Sequence, residues 1–147
     1  MGFLSHEVIV NNLALFVPNA TPYHFGVLTS SVHMAWTRAT CGRLKSDYRY
    51  SAKLCYNSFV WPTATDEMRG KISATAQGIL DARAAHPDCM LADLYDPLTM
   101  PPDLRAAHEA NDRAVLAAYG LAPDTPEPEI VAHLFKLYAK RQRPFLV

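Results

Sequence analysis

No apolar run in these 147 residues approaches the roughly 20 residues that a membrane-spanning helix needs; stretches such as Leu13 to Val17 are typical. No membrane association is expected. The start, Met1-Gly2-Phe3-Leu4-Ser5-His6-Glu7, lacks the basic opening and apolar stretch of a secretory signal, so the expected compartment is the cytoplasm. Cysteine is scarce: Cys41, Cys55 and Cys89 are an odd set with no Cys-x-x-Cys, a pattern that argues against a disulfide framework or a structural zinc site and for reduced thiols. The histidines at 6, 24, 33, 86, 108 and 133 include no His-x-x-x-His and no His-Glu-x-x-His, so no metal ligation is expected. Glycine is also sparse, with neither Gly-x-Gly-x-x-Gly nor a Walker loop to cradle a cofactor phosphate.

What remains is ordinary globular material, 50% hydrophobic, long enough to bury a core as one compact domain or two small ones. Its formal net charge of zero conceals an asymmetry. Up to Pro62, five basic residues (Arg38, Arg43, Lys45, Arg49, Lys53) face two acidic ones (Glu7, Asp47); from Thr63 onward, nine basic residues face twelve acidic ones. All five basic residues of the first part fall between Arg38 and Lys53, with Asp47 the only acid among them. A basic stripe on a neutral chain is suited to an anionic partner.

Glu7 to Val10 and Leu13 to Val17 are β-branched and apolar, closed by Pro18-Asn19, and read as strands. Thr21-Pro22 is an N-cap with proline in the first helical position; one or two helices follow up to Cys41-Gly42, with a possible break around Thr29-Ser30-Ser31. From Arg43 to Asn57 the period becomes two: odd positions are mostly charged, even positions mostly apolar or aromatic. That is one long strand, or two around Ser51-Ala52. Beyond Pro62, helical spacing takes over. Thr65 caps a helix with Ile72, Ala76, Ile79, Leu80 and Arg83 on one face. A connector over 88–102 offers Leu91, Leu94, Tyr95, Leu98 and Met100 as anchors. Pro101-Pro102 opens a helix with Leu104, His108, Val115 and Tyr119 on its face and Gly120 as its stop. Pro126 opens another, carrying Ile130, Leu134, Leu137 and Tyr138, and residues 142–147 form a loose tail.

In a strand, Arg43, Lys45, Asp47 and Arg49 project from one face about 6.6 Å apart. Two readings account for this: a solvated sheet face, or a nucleic-acid surface. Lysine and arginine donate to guanine O6 and N7, while aspartate accepts from cytosine N4. An acid inside a basic stripe weakens phosphate binding, so base reading explains it better than backbone attraction does. Tyr48, Tyr50, Tyr56, Phe59 and Trp61 are either base-stacking groups or core. Asp93 and Asp96 form a carboxylate pair or, with Pro97, a turn. Cys41 has no histidine at a nucleophile spacing, and His108 and His133 read as structural residues on helix faces.

Three blocks stand out: Phe25-Gly26-Val27-Leu28-Thr29-Ser30-Ser31-Val32-His33-Met34-Ala35-Trp36; Gly42-Arg43-Leu44-x-Ser46-x-Tyr48-Arg49-Tyr50-Ser51; and Tyr56-Asn57-x-Phe59-x-Trp61-Pro62. With Ala76-Gln77-x-Ile79-Leu80-Asp81-Ala82-Arg83 and the stretch from Leu91 to Leu104, they resemble the carboxy-terminal region of the MmeI-like, type IIL DNA methyltransferases. The resemblance covers nearly the whole chain. It implies the end of a target-recognition domain over 1–62 and a helical carboxy-terminal domain over 63–147. In that family adenine N6 is methylated from S-adenosylmethionine by a part with a glycine-rich loop and an Asn-Pro-Pro-Tyr motif. Neither is found here; Met100-Pro101-Pro102-Asp103 lacks the asparagine and the aromatic residue. The resemblance further implies that the base-reading pair occupies the variable places of the Gly-Arg-Leu-x-Ser-x-Tyr-Arg block, here Lys45 and Asp47. Arg49 is a further base or phosphate contact, and Arg38, Arg43 and Lys53 are expected on phosphates. Val60 departs from the proline that relatives often carry there.

The expectation is therefore an α+β chain, mainly α, with a small mixed sheet-and-helix first half and a helical bundle behind it. Its expected role is DNA sequence recognition within an adenine-N6 methyltransferase, non-catalytic alone, partnered by double-stranded DNA and by the catalytic domain of its parent. The competing expectation is a protein-interaction module with an acidic helical half. A free-standing enzyme built on Asp93 or a histidine is a weaker third.

Overall fold

The computed structural model describes residues 1–5, 7–10, 14–44 and 47–142. The order is α1 (Pro22–Thr29), α2 (Ser31–Thr40), β1 (Gly42–Leu44), β2 (Asp47–Arg49), a π-helical turn (Ala52–Tyr56), α3 (Asp66–Ala84), α4 (Leu91–Leu94), α5 (Pro102–Ala118) and α6 (Glu127–Gln142). The fold is mainly α with one small sheet, the expected class.

The helix signals act where the sequence places them. Thr21 donates its backbone N–H to His24 Nδ1 at 3.1 Å, and Pro22 opens α1. The break falls at Ser30, whose φ of −72° and ψ of 159° leave the helical region. Its hydroxyl donates to the Val27 carbonyl at 2.7 Å and accepts from the His33 N–H at 3.3 Å, so one residue ends α1 and caps α2. Asp112 on α5 adds a carboxylate at the start of α2, accepting from the Ser31 N–H at 2.7 Å, where the helix dipole favours negative charge. Burial raises the Asp112 carboxyl pKa above its ordinary value. Thr65 caps α3, and Gly120, at φ +71°, ends the α5 region in the left-handed conformation that glycine tolerates.

Helix α3 lies between α1 and α5, and α2 is covered by α6. One buried cluster joins Tyr23, Val27, Val32, Trp36 and Phe59 to Ile72, Val115, Tyr119, Ile130 and Leu134; another joins Phe25 to Ala76, Ile79, Leu94 and Leu104. Both clusters draw on residues from either side of Pro62, so the two halves share their core.

Several expectations are corrected. No strand forms among the described residues of 7–10 and 14–17; Ile9 is 96% and Phe16 70% exposed. A strand needs a neighbour to take up its backbone hydrogen bonds, and among the described residues the sheet consists of β1 and β2 alone. Leu13 and residues 143–147 lie outside the described residues. In the connector, Leu94 is buried and Met100 packs on the core, but Leu91 is 58% and Leu98 94% exposed. Cys41 and Cys55 are joined as a disulfide with Cα atoms 5.9 Å apart, rather than standing as reduced thiols, while Cys89 is free and exposed.

Candidate nucleic-acid interface

The basic stripe folds as a hairpin rather than as one long strand. β1 and β2 are antiparallel, with Gly42 opposite Arg49, Arg43 opposite Tyr48 and Leu44 opposite Asp47. The chain reverses between Leu44 and Asp47, and that reversal breaks the parity of the alternation. Residues opposite each other share a face and neighbours along a strand do not. Arg43 therefore shares its face with Tyr48, and Arg49 with Gly42, so the expected single face carrying Arg43 and Arg49 together does not exist. Beyond Tyr50 the strand pattern stops: the Ser51 hydroxyl accepts from the Leu54 N–H at 3.4 Å and opens the π-helical turn, which carries Lys53. Lys45 lies outside the described residues; Asp47 begins β2, its backbone paired with Leu44.

The exposed Arg43 lies over the Tyr48 ring, its guanidinium carbon 4.8 Å from the centroid, and donates to the Tyr48 hydroxyl at 3.0 Å. Arg49 and Lys53 are also exposed. Arg38, near the end of α2, pairs with Glu127 on α6 at 2.6 Å, both side chains half exposed. Thus Arg43, Arg49 and Lys53 are grouped on the hairpin and the turn behind it, while Arg38 sits on the helix beneath with an internal partner.

The hairpin is anchored on α2. Cys41, following α2, is bridged to Cys55 in the π-helical turn. The Cys55 carbonyl accepts from the Trp36 indole N–H at 3.2 Å. Tyr50, immediately after β2, places its hydroxyl 2.9 Å from His33 Nε2. Burial pushes the Tyr50 phenol up to about 12 and the His33 imidazole down to about 4, so both are neutral near pH 7. In sequence, Tyr50 reads as a base-stacking or core group and Cys41 as a thiol, without the contacts that make them anchors. The available signal was the (i, i+3) spacing of His33 and Trp36 on one helix and the two cysteines that bracket the Gly-Arg-Leu block.

Of the aromatic residues weighed as base-stacking groups, Phe59 is core, and Trp61 packs against that core with Tyr56 at its edge. The two carboxylates weighed as a pair serve the backbone: Asp93 Oδ2 accepts from the Met90 N–H at 3.3 Å, and Asp96 Oδ1 from the Leu98 N–H at 2.8 Å. Pro101-Pro102 is the opening of α5, with Leu104 buried behind it. The sequence contains neither a glycine-rich loop nor an Asn-Pro-Pro-Tyr motif. Among the described residues no group of three or more His, Cys, Asp or Glu is placed to hold a metal, and no helix is long and apolar enough to cross a membrane.

Comparison with known proteins gives a consistent assignment. The DNA methyltransferase A of Bacillus subtilis (strain 168) is 41% identical over 138 residues, which is 94% of this chain and 16% of that protein. A solved structure of the type IIL restriction-modification enzyme MmeI in complex with DNA superposes with a TM-score of 0.82 at 43% identity, covering 86% of this chain and 17% of that one. The chain thus spans about a sixth of the length of either relative. Its residues 1–63 match the MmeI target recognition domain and residues 64–145 the MmeI C-terminal domain, and the chain belongs to the MmeI family.

Proposed function

We propose that the chain is the sequence-reading portion of a site-specific DNA adenine-N6 methyltransferase. Its parent, acting in the cytoplasm, takes the methyl group from S-adenosylmethionine in a catalytic part outside this chain. Residues 1–62 do the reading and residues 63–147 support them. Lys45 and Asp47 address the two bases of one G·C pair, donor to guanine and acceptor to cytosine, and Arg49 adds a base contact from β2. Arg43 and Lys53 hold phosphates on either side, and Arg38 reaches one by releasing Glu127.

The observation that supports this reading is the antiparallel pairing of Gly42–Leu44 with Asp47–Arg49, with Arg43 and Arg49 exposed on the two strands and Lys53 exposed in the turn that follows. A hairpin of this kind is narrow enough for the major groove. The experiment is binding of the parent protein to duplex DNA carrying its site across a salt series. Affinity that falls linearly on a log–log plot supports the reading; affinity indifferent to salt contradicts it.

A further inference from the structure

The second strand of the hairpin meets the core one residue after Arg49. There Tyr50 turns its hydroxyl to His33 Nε2 at 2.9 Å, with the ring centroids 5.7 Å apart. His33 is 1% exposed, on α2, edge-on to Phe59 with centroids 4.5 Å apart. The surroundings are apolar: Val32, Trp36 and Phe59 are all buried in the cluster beneath. An apolar pair of the same shape would fill this space without the cost of burying two polar groups. A hydrogen bond supplies what an apolar contact does not, a fixed distance and direction.

Base readout needs that precision, because donors and acceptors must meet base edges to within about 0.5 Å. The chain can slide at an apolar contact; a phenol bonded to a buried, rigid imidazole cannot. The other ties of this region, the Trp36 bond to the Cys55 carbonyl and the bridge from Cys41 to Cys55, hold the approach to β1 and the turn behind the hairpin. Only two residues, Tyr48 and Arg49, separate Asp47 from Tyr50.

We propose that His33 and Tyr50 are positioning residues for recognition: their hydrogen bond sets the depth of the β2 strand against the DNA and thereby sharpens discrimination at the base pair read by Lys45 and Asp47. This rests on the base-reading role proposed above. The pair touches no base itself.

The test uses the full-length parent methyltransferase and three substitutions. Tyr50→Phe keeps the ring and removes the hydroxyl. His33→Leu removes the partner, and His33→Gln restores a polar side chain at the same place. The readout is the ratio of methylation rates, as kcat/KM, on the cognate site and on a site altered at that single base pair. Tyr50→Phe and His33→Leu are expected to lower this ratio by about fivefold to tenfold, the size of one lost hydrogen bond, and His33→Gln to recover part of it. A thermal shift with the ratio unchanged would make the pair a structural tie only and overturn the proposal. The exchange Lys45→Glu with Asp47→Arg separates the two claims. If it changes the methylated site while Tyr50→Phe leaves the ratio intact, positioning fails and base reading stands. If the exchange changes nothing, base reading itself fails.

Discussion

Asn111, buried on α5, donates its Nδ2 to the Gly26 carbonyl of α1 at 2.8 Å and receives the Thr75 hydroxyl of α3 on its Oδ1 at 3.2 Å. One amide thereby ties three helices together. A Cβ on Gly26 would meet Ile72 Cγ2 at 2.8 Å and Asn111 Oδ1 at 2.9 Å, so α1 approaches this close only because position 26 has no side chain. Asn111→Ala leaves the buried Gly26 carbonyl short of its partner, while the Thr75 hydroxyl keeps the Ile72 carbonyl at 3.0 Å, and is expected to cost about 1–3 kcal/mol. Gly26→Ala should destabilise through overpacking by a similar about 1–3 kcal/mol. Urea unfolding checks both; midpoints equal to the unsubstituted protein's would contradict this account of the α1 contact.

Stability should fall as the solution is acidified below neutrality. His33 is held at about 4 by burial, whereas an unfolded histidine titrates near 6.5. Between those values the unfolded chain binds the extra proton, so stability is complete above the unfolded value and is lost as pH falls through this window. From pH 7 to pH 5 the loss from His33 is about 2 kcal/mol. His108, lowered by burial and then by Arg83, acts in the same direction; Asp112, raised by burial, acts oppositely. Tyr50, the group facing His33, stays neutral throughout. Denaturant midpoints across this range should fall for the unsubstituted protein and change less for His33→Gln. Equal slopes for the two would contradict the assignment.

The phosphate contacts predict a graded salt response in the parent enzyme. Arg43→Ala and Lys53→Ala should each reduce the slope of log affinity against log salt by about 1, nearly equally on cognate and unrelated duplexes. Arg38 must first leave Glu127. Glu127→Gln should therefore tighten binding at low salt while changing folding stability by less than about 1 kcal/mol, as befits an exposed pair. Unchanged affinity in Glu127→Gln would remove Arg38 from the contact set.

The helices were legible because their signals are local. Thr21-Pro22, Ser30, Thr65, Pro101-Pro102, Gly120 and Pro126 each act on a neighbouring backbone, and the apolar spacing around Ile72 and Val115 names the buried faces directly. The segments around Ile9 and Phe16 read as strands by composition, but a ladder needs a partner that local composition cannot supply. The alternation from Arg43 to Asn57 was real in sequence, yet the reversal after Leu44 inverted its parity and the Ser51 cap ended it. Within the candidate site, charge marked Lys45, Asp47 and Arg49, because an acid amid bases is visible in one dimension. Tyr50 was marked only as a base-stacking or core group, and its pairing with His33 was not marked. Their contact joins residues 17 apart, and nothing in either residue's immediate neighbourhood announces it.

The most direct test of base reading by the hairpin is long-read mapping of N6-methyladenine in DNA from cells expressing the parent protein, unsubstituted beside the Lys45→Glu, Asp47→Arg exchange. The account predicts a single methylated motif in the first and a motif altered at one base pair in the second. An identical motif in both would contradict it.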